Sequence, residues 1–172
     1  MSRAFGGEVP PALRRANQLM AAGQYAAAAE IFEQFARGAV QRNGPRAPLF
    51  LLQAGRARLQ ANQVPAAMAH FQEGFAIIAK RGNWQRLARA GQRIAAELKE
   101  RSLMAEAGQV EAYLKSALPA GFVAVPPAEA PKTRLLPTHC SGCGGPIRSD
   151  EVEWIDEATA ECPYCGSAVR AE

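Results

Sequence analysis

Between residues 11 and 118 apolar side chains recur at three- and four-residue spacing, the signature of helices with one buried face. Pro11 suits a first helical position, where its missing N–H costs nothing, and the first helix is predicted from Ala12 to Ala22. Gly23-Gln24 breaks it, and Tyr25 opens a second helix with Ala28, Ile31, Phe32 and Phe35 on one side. Asn43-Gly44-Pro45 stops that helix with three consecutive breakers. The third is predicted from Ala47 to Ala61 with Leu49, Leu52 and Leu59 together, and Asn62-Gln63 as its turn. The fourth carries Val64, Ala67, Met68, Phe71, Phe75 and Ile78 and ends at Gly82-Asn83. The fifth runs from Trp84 through Leu87, Ile94 and Leu98 to Glu100. The sixth is expected to begin at Ser102, acting as N-cap, and to carry Leu103, Val110, Tyr113 and Leu114.

Outside this region the pattern changes. Gly6-Gly7 and Pro10-Pro11 predict a loose arm over residues 1–10. Pro119, Pro126-Pro127, Pro131 and Pro137 predict a semi-rigid Pro/Ala-rich linker over 119–137, with Phe122-Val123-Ala124-Val125 lying on a neighbouring element. Beyond it, period-two alternation takes over. Ile147-Arg148, Val152–Ile155, Thr159–Glu161 and Ser167–Val169 are predicted strands, with Asp156-Glu157-Ala158 as a turn.

The helices repeat. Tyr25, Val64 and Leu103 stand 39 residues apart, and Met20, Leu59 and Leu98 keep the same spacing. At matching phase come Ala28, Ala67 and Glu106, then Phe32, Phe71 and Val110. A single helical hairpin cannot bury its apolar face, whereas three stacked hairpins can. Units one (Ala16, Gly23-Gln24-Tyr25, Ala28, Phe32) and two (Gly55, Asn62-Gln63-Val64, Ala67, Phe71) resemble tetratricopeptide repeats. The third departs where Glu106 replaces the small alanine, and the period exceeds the usual ~34 residues. The resemblance covers residues 11–118 and implies a mainly α fold of antiparallel helical hairpins stacked as a short solenoid. It also implies a groove lined by Leu13, Asn17, Met20, Leu52, Arg56, Leu59, Gln60, Ala95 and Lys99. In that groove Asn17, Arg56 and Lys99 are candidates for holding a peptide carboxylate or acidic side chains.

All four cysteines lie in two C-x-x-C pairs, Cys140/Cys143 and Cys162/Cys165, with 18 residues between the pairs. That spacing reads as one tetrahedral metal site with four thiolate ligands. Residues 138–172 therefore form a separate segment that resembles a small β zinc ribbon. The expected cofactor is one structural Zn²⁺, with iron as the alternative in the same cage. Four protein ligands leave no position open for water or substrate, and neither pair has the strand–helix context of a redox dithiol. His139 is read as a neighbour of the completed ligand set. Trp154 is read as part of the segment's small core.

Charge divides the chain. Residues 1–118 carry a net +8, residues 119–137 a net +1 and residues 138–172 a net −5. Phosphate binding needs Lys and Arg, so the acidic segment is a poor nucleic-acid site. Arg86, Arg89 and Arg93 line one face of the fifth helix and form a candidate surface for an acidic partner or nucleic acid. No Gly-rich phosphate loop, nucleophile elbow or open metal site is present, and His70 has no partner at a readable spacing. No run reaches the roughly 20 apolar residues of a membrane span, and the first residues have no apolar signal core. The sequence thus predicts a cytoplasmic, non-catalytic adaptor or assembly factor that contacts a protein partner, with no membrane insertion. Nucleic-acid binding through the basic helices is the alternative. A third reading has the acidic segment covering the basic helical face until a partner releases it.

Overall fold

The computed structural model describes residues 10–125, 135–149 and 152–171. Except for Pro10, the predicted N-terminal arm lies outside the described residues, as do residues 126–134 of the predicted linker. Six helices are present: α1 (Pro11–Ala21), α2 (Tyr25–Gln41), α3 (Ala47–Gln60), α4 (Val64–Lys80), α5 (Trp84–Glu100) and α6 (Met104–Ala117). Each packs on the next along the chain. A three-stranded antiparallel sheet follows, in the order β1 (Glu153–Trp154), β2 (Thr159–Glu161), β3 (Ala168–Arg170). Its register pairs Trp154 with Ala160 and Ala160 with Val169. No described helix is long and apolar enough to cross a membrane.

The helix reversals share one chemical device. A left-handed residue follows each of the first five helices: Gly23, Asn43, Asn62, Gly82 and Ser102. At each, the left-handed residue donates its N–H three residues back, and the next donates five residues back. For example, Asn62 bonds to the Leu59 carbonyl at 3.0 Å and Gln63 to that of Arg58 at 2.9 Å. This paired closure satisfies the last helical carbonyls and turns the chain sharply. Ser102 therefore ends α5 at φ 62° rather than capping the start of α6, where Leu103 takes the N-cap place. The expected N-cap is corrected because the reversal needs a left-handed residue at that point.

The third unit is also displaced by one residue. Gly23 and Asn62 are 39 apart, but Asn62 and Ser102 are 40 apart. Ala28, Ala67 and Ala107 consequently occupy matching buried positions. The small residue that the sequence alignment lost at Glu106 is thus supplied by Ala107. Close helix approach is set elsewhere by glycine. A Cβ on Gly55 of α3 would come within 2.5 Å of the Phe71 ring on α4, and one on Gly91 of α5 within 2.5 Å of Leu114 on α6.

Two apolar cores result. Leu59, Phe71, Phe75, Ile78, Leu87, Ile94, Leu98 and Val110 form one, built from helices alone. The other joins Leu13, Ala16, Phe32, Phe50 and Leu51 of α1–α3 to the four cysteines, Ile147, Val152, Ala160 and Val169. Helix α3 explains why the core of α1–α3 needs the cysteine segment as a contributor. Pro48, Leu49, Phe50, Leu51, Gln53 and Ala54 are all buried, so the helix is covered on every side. An ion-paired cluster ties the two halves together. Arg58 donates to both carboxylate oxygens of Glu33, at 2.7 and 2.8 Å, and His70 Nε2 lies 2.8 Å from Glu33 Oε1. The Arg58 guanidinium, and more weakly His70, hold the Glu33 carboxyl below its ordinary range against an opposing effect of burial.

The chain leaves α6 and returns along α5. Gln85 accepts from the Val125 N–H at 3.0 Å and donates to the Val125 carbonyl at 2.6 Å. In the apolar run before it, Phe122 and Ala124 are half-buried while Val123 faces solvent. The strand predicted at Ile147-Arg148 is reduced to one bridge between His139 and Pro146, made by the bonds from Cys140 N–H to the Gly145 carbonyl and from Ile147 N–H to the Thr138 carbonyl.

Candidate metal centre

Two near-identical loops bring the cysteines together. In the first, Cys140 N–H donates to the Gly145 carbonyl at 2.8 Å and Gly144 N–H to the Cys140 carbonyl at 2.9 Å. In the second, Cys162 N–H donates to the Ser167 carbonyl at 2.8 Å and Gly166 N–H to the Cys162 carbonyl at 2.9 Å. Gly144 and Gly166 take φ values of 72° and 71°, a conformation that a side chain disfavours. The loops also pack on each other, since a Cβ on Gly145 would meet the Tyr164 ring at 2.7 Å.

The four Sγ atoms all lie within 4.8 Å of one another. Cys140 and Cys165 sulfurs are 3.8 Å apart, and those of Cys143 and Cys162 are 3.7 Å apart. A tetrahedral ion with metal–sulfur bonds of about 2.3 Å requires sulfur separations of roughly 3.8 Å. The cage therefore fits a four-coordinate metal ion. Backbone N–H groups of Gly145 and Tyr164 approach the Cys143 and Cys162 sulfurs at 3.4 Å, and Ser167 Oγ lies 3.2 Å from the Cys165 sulfur. Such contacts orient and partly neutralise thiolates. Without a cation, crowding by the other sulfurs, Cys140 first, and burial push the Cys162 thiol far up. A dication reverses that balance by binding all four sulfurs as thiolates. The cysteines are 0 to 3% exposed, so the cage is closed to solvent.

The cage is seated against the helices through its loop carbonyls. Arg14 of α1 donates to the Gly142 carbonyl at 2.6 Å, and Asn17 of α1 to that of Cys143 at 3.1 Å. Gln53 of α3 donates to the Pro163 carbonyl at 3.0 Å. Asn17 and Gln53 are buried polar residues that this docking satisfies on the donor side, although Asn17 Oδ1 has no partner among the described residues. Charge follows the same direction. Arg89 of α5 meets Glu153 at 3.5 Å. Burial raises the Glu161 carboxyl, opposed by the nearby Arg86 and, more weakly, by Arg46.

The sequence-predicted residues are distributed as follows. Cys140, Cys143, Cys162 and Cys165 converge on one point. Asn17 is buried under the first cysteine loop. Arg56 stands 3.4 Å from Glu97, and Lys99 pairs with Glu111 on α6, away from the cage. Arg86, Arg89 and Arg93 share a cavity with Arg56, between α3, α5 and the cysteine segment. Arg14 and Gln53 were not singled out as site residues. The signal for Gln53 lies in the unbroken apolar run Pro48–Leu52 beside it, which marks a helix that needs cover on all sides.

No protein-family model, curated protein or solved structure matches the chain.

Proposed function

We propose that the chain is a non-catalytic protein–protein interaction adaptor or assembly factor. In this reading the helices form a short tetratricopeptide-like solenoid and the C-terminal segment is a zinc ribbon with one structural Zn²⁺. The observation that carries it is the closed four-sulfur cage seated on α1 and α3 through Arg14, Asn17 and Gln53. A metal with four protein thiolates and no exposed face has no place for a substrate, so its contribution is to folding. Zinc suits the donor set, since four cysteine thiolates in a tetrahedral cage are its commonest structural environment. The ribbon then acts as a clasp over part of the basic helical face, and the composite surface of helices and ribbon is what a protein partner would use.

Nucleic-acid binding through the same helices is the weaker reading, because Arg89 already meets Glu153 and Glu161 stands near Arg86. Affinity capture with the intact chain and with Cys162→Ser, compared by mass spectrometry, tests the proposal. Specific proteins recovered by the intact chain and lost with Cys162→Ser support it. Recovery of the same proteins by both forms contradicts a role for the clasp. A salt-sensitive mobility shift of nucleic acid at low ionic strength, abolished by Arg86→Ala, Arg89→Ala and Arg93→Ala together, would favour the alternative.

A further inference from the structure

A cavity of about 510 Å³ lies between α3, α5, the backbone at Ala124-Val125 and the cysteine segment. Its helical wall carries Arg56, Arg86, Arg89 and Arg93, and the cysteine segment contributes Glu153 and Glu161. Leu49, Leu52, Ile94 and Val152 give it an apolar wall. This combination of an apolar body and a few convergent charged groups is that of a ligand site, and the volume lies within the roughly 300–1,000 Å³ of small-molecule pockets.

The donors on its wall are incompletely used. A guanidinium offers five N–H groups. Arg56 stands 3.4 Å from Glu97 and Arg89 is 3.5 Å from Glu153, long beside the roughly 2.7–2.9 Å of a strong charge-assisted bond. Arg56 Nε and Arg89 Nε are shielded from solvent and have no hydrogen-bond acceptor among the described residues. The Arg56–Glu97 approach is thus a charge contact and not a hydrogen bond. Neither Nε can be reached from the cavity as it stands, but the Arg56 and Arg89 side chains remain 20% and 26% exposed, so an entering anion would meet the outer edge of each guanidinium.

We propose that this cavity binds a small organic anion, an apolar body of a few carbons bearing a carboxylate or phosphate, and that the site exists only while the metal holds the cysteine segment in place. The charged head accepts from Arg56 and Arg89, with Arg86 adding long-range attraction, and the body lies on Leu52, Ile94 and Val152. A small ligand fits better than an extended acidic peptide, because the cysteine segment and the chain at Ala124-Val125 close sides that a peptide would need open. Val152, Glu153, Cys162 and Pro163 belong to the wall, so removing the metal removes part of the site. By linkage, the ligand must also tighten metal binding by the same factor.

The test titrates the metal-loaded full chain with hexanoate and hexyl phosphate, using hexanol and hexylamine as controls, by calorimetry and amide chemical shifts. At least one anion should bind at least about tenfold tighter than both controls, and the better of the two identifies the head group. Arg56→Gln with Arg89→Gln should weaken it at least about tenfold, as should Ala90→Phe, which fills the cavity without changing its charge. Circular dichroism and melting of each variant verify folding, and if one is unfolded the other decides. Chelator-stripped, desalted protein should lose binding. Anions that bind no better than the controls, or binding that survives the arginine changes or metal removal, would overturn the proposal. Tighter binding of a hexaglutamate peptide than of either fragment would also overturn it, in favour of a peptide groove.

Discussion

The two cores of this molecule solve the same problem by different means. The core of α4–α6 is closed by helices alone, with Phe71, Phe75, Ile78 and Leu98 interlocked and Gly91 admitting Leu114. The core of α1–α3 is closed by a segment more than 75 residues further along the chain, held together by four cysteines. Its helix α3 is buried along most of its length, and Gln53 on it donates to the Pro163 carbonyl of that segment. The comparison teaches that the four-cysteine cage is a structural part of the α1–α3 half and not an appendage. A segment of some 35 residues buries too little surface to fold unaided, so a metal ion held by the cage would supply its stability and, through the shared core, part of that of α1–α3.

The largest expected effect is therefore at the cage. Cys162→Ser should release the cysteine segment and lower overall stability by about 3–5 kcal/mol or more, read as a lower denaturant midpoint together with a lost equivalent of bound zinc. Unchanged stability with full metal content would break the comparison at its base.

Gly55 and Gly91 sharpen it. Gly55→Ala drives a Cβ into the Phe71 ring and to 3.2 Å from the Ala67 carbonyl oxygen, whereas Gly91→Ala meets only the Leu114 side chain, from Cγ outward. We expect about 2–3 kcal/mol of destabilisation for Gly55→Ala and about 1 kcal/mol for Gly91→Ala, measured by urea unfolding. The reverse order would mean that the α5–α6 contact is the less yielding of the two.

The cluster joining the halves gives a pH signature. Glu33 is held below the ordinary value of 4.5, chiefly by Arg58. A carboxyl depressed on folding stabilises the native state above its unfolded pKa and loses that contribution as pH falls through its folded pKa. Glu33→Gln should thus cost about 1–2 kcal/mol near neutral pH and progressively less below about pH 4.5. A cost independent of pH would show that shape, and not charge, matters there.

The smallest effect is at the last helix reversal. Ser102 occupies a left-handed conformation that glycine adopts at no steric cost. Ser102→Gly should stabilise the chain by about 0.5–1 kcal/mol, seen as a small rise in melting temperature.

Most of the helical architecture was legible because the apolar stripes and the breakers between them are local signals. The cysteine cage was legible because spacing and donor type alone define it. What local reasoning missed depended on geometry. Ser102 looked like an N-cap by residue type, yet the repeated reversal made it a C-terminal left-handed residue. A one-residue slip hid Ala107 behind Glu106. The docking of the cysteine segment was not readable from either module separately, since Arg14, Asn17 and Gln53 bond to backbone carbonyls that no sequence pattern marks. Its one visible trace was the apolar run Pro48–Leu52 of α3.

Amide hydrogen exchange before and after metal removal tests the central claim most directly. The account predicts that stripping the metal abolishes protection in residues 138–171 and lowers it strongly in α1–α3, while α4–α6 keep most of theirs. Full protection retained in all six helices, or an equal loss in all six, would contradict it.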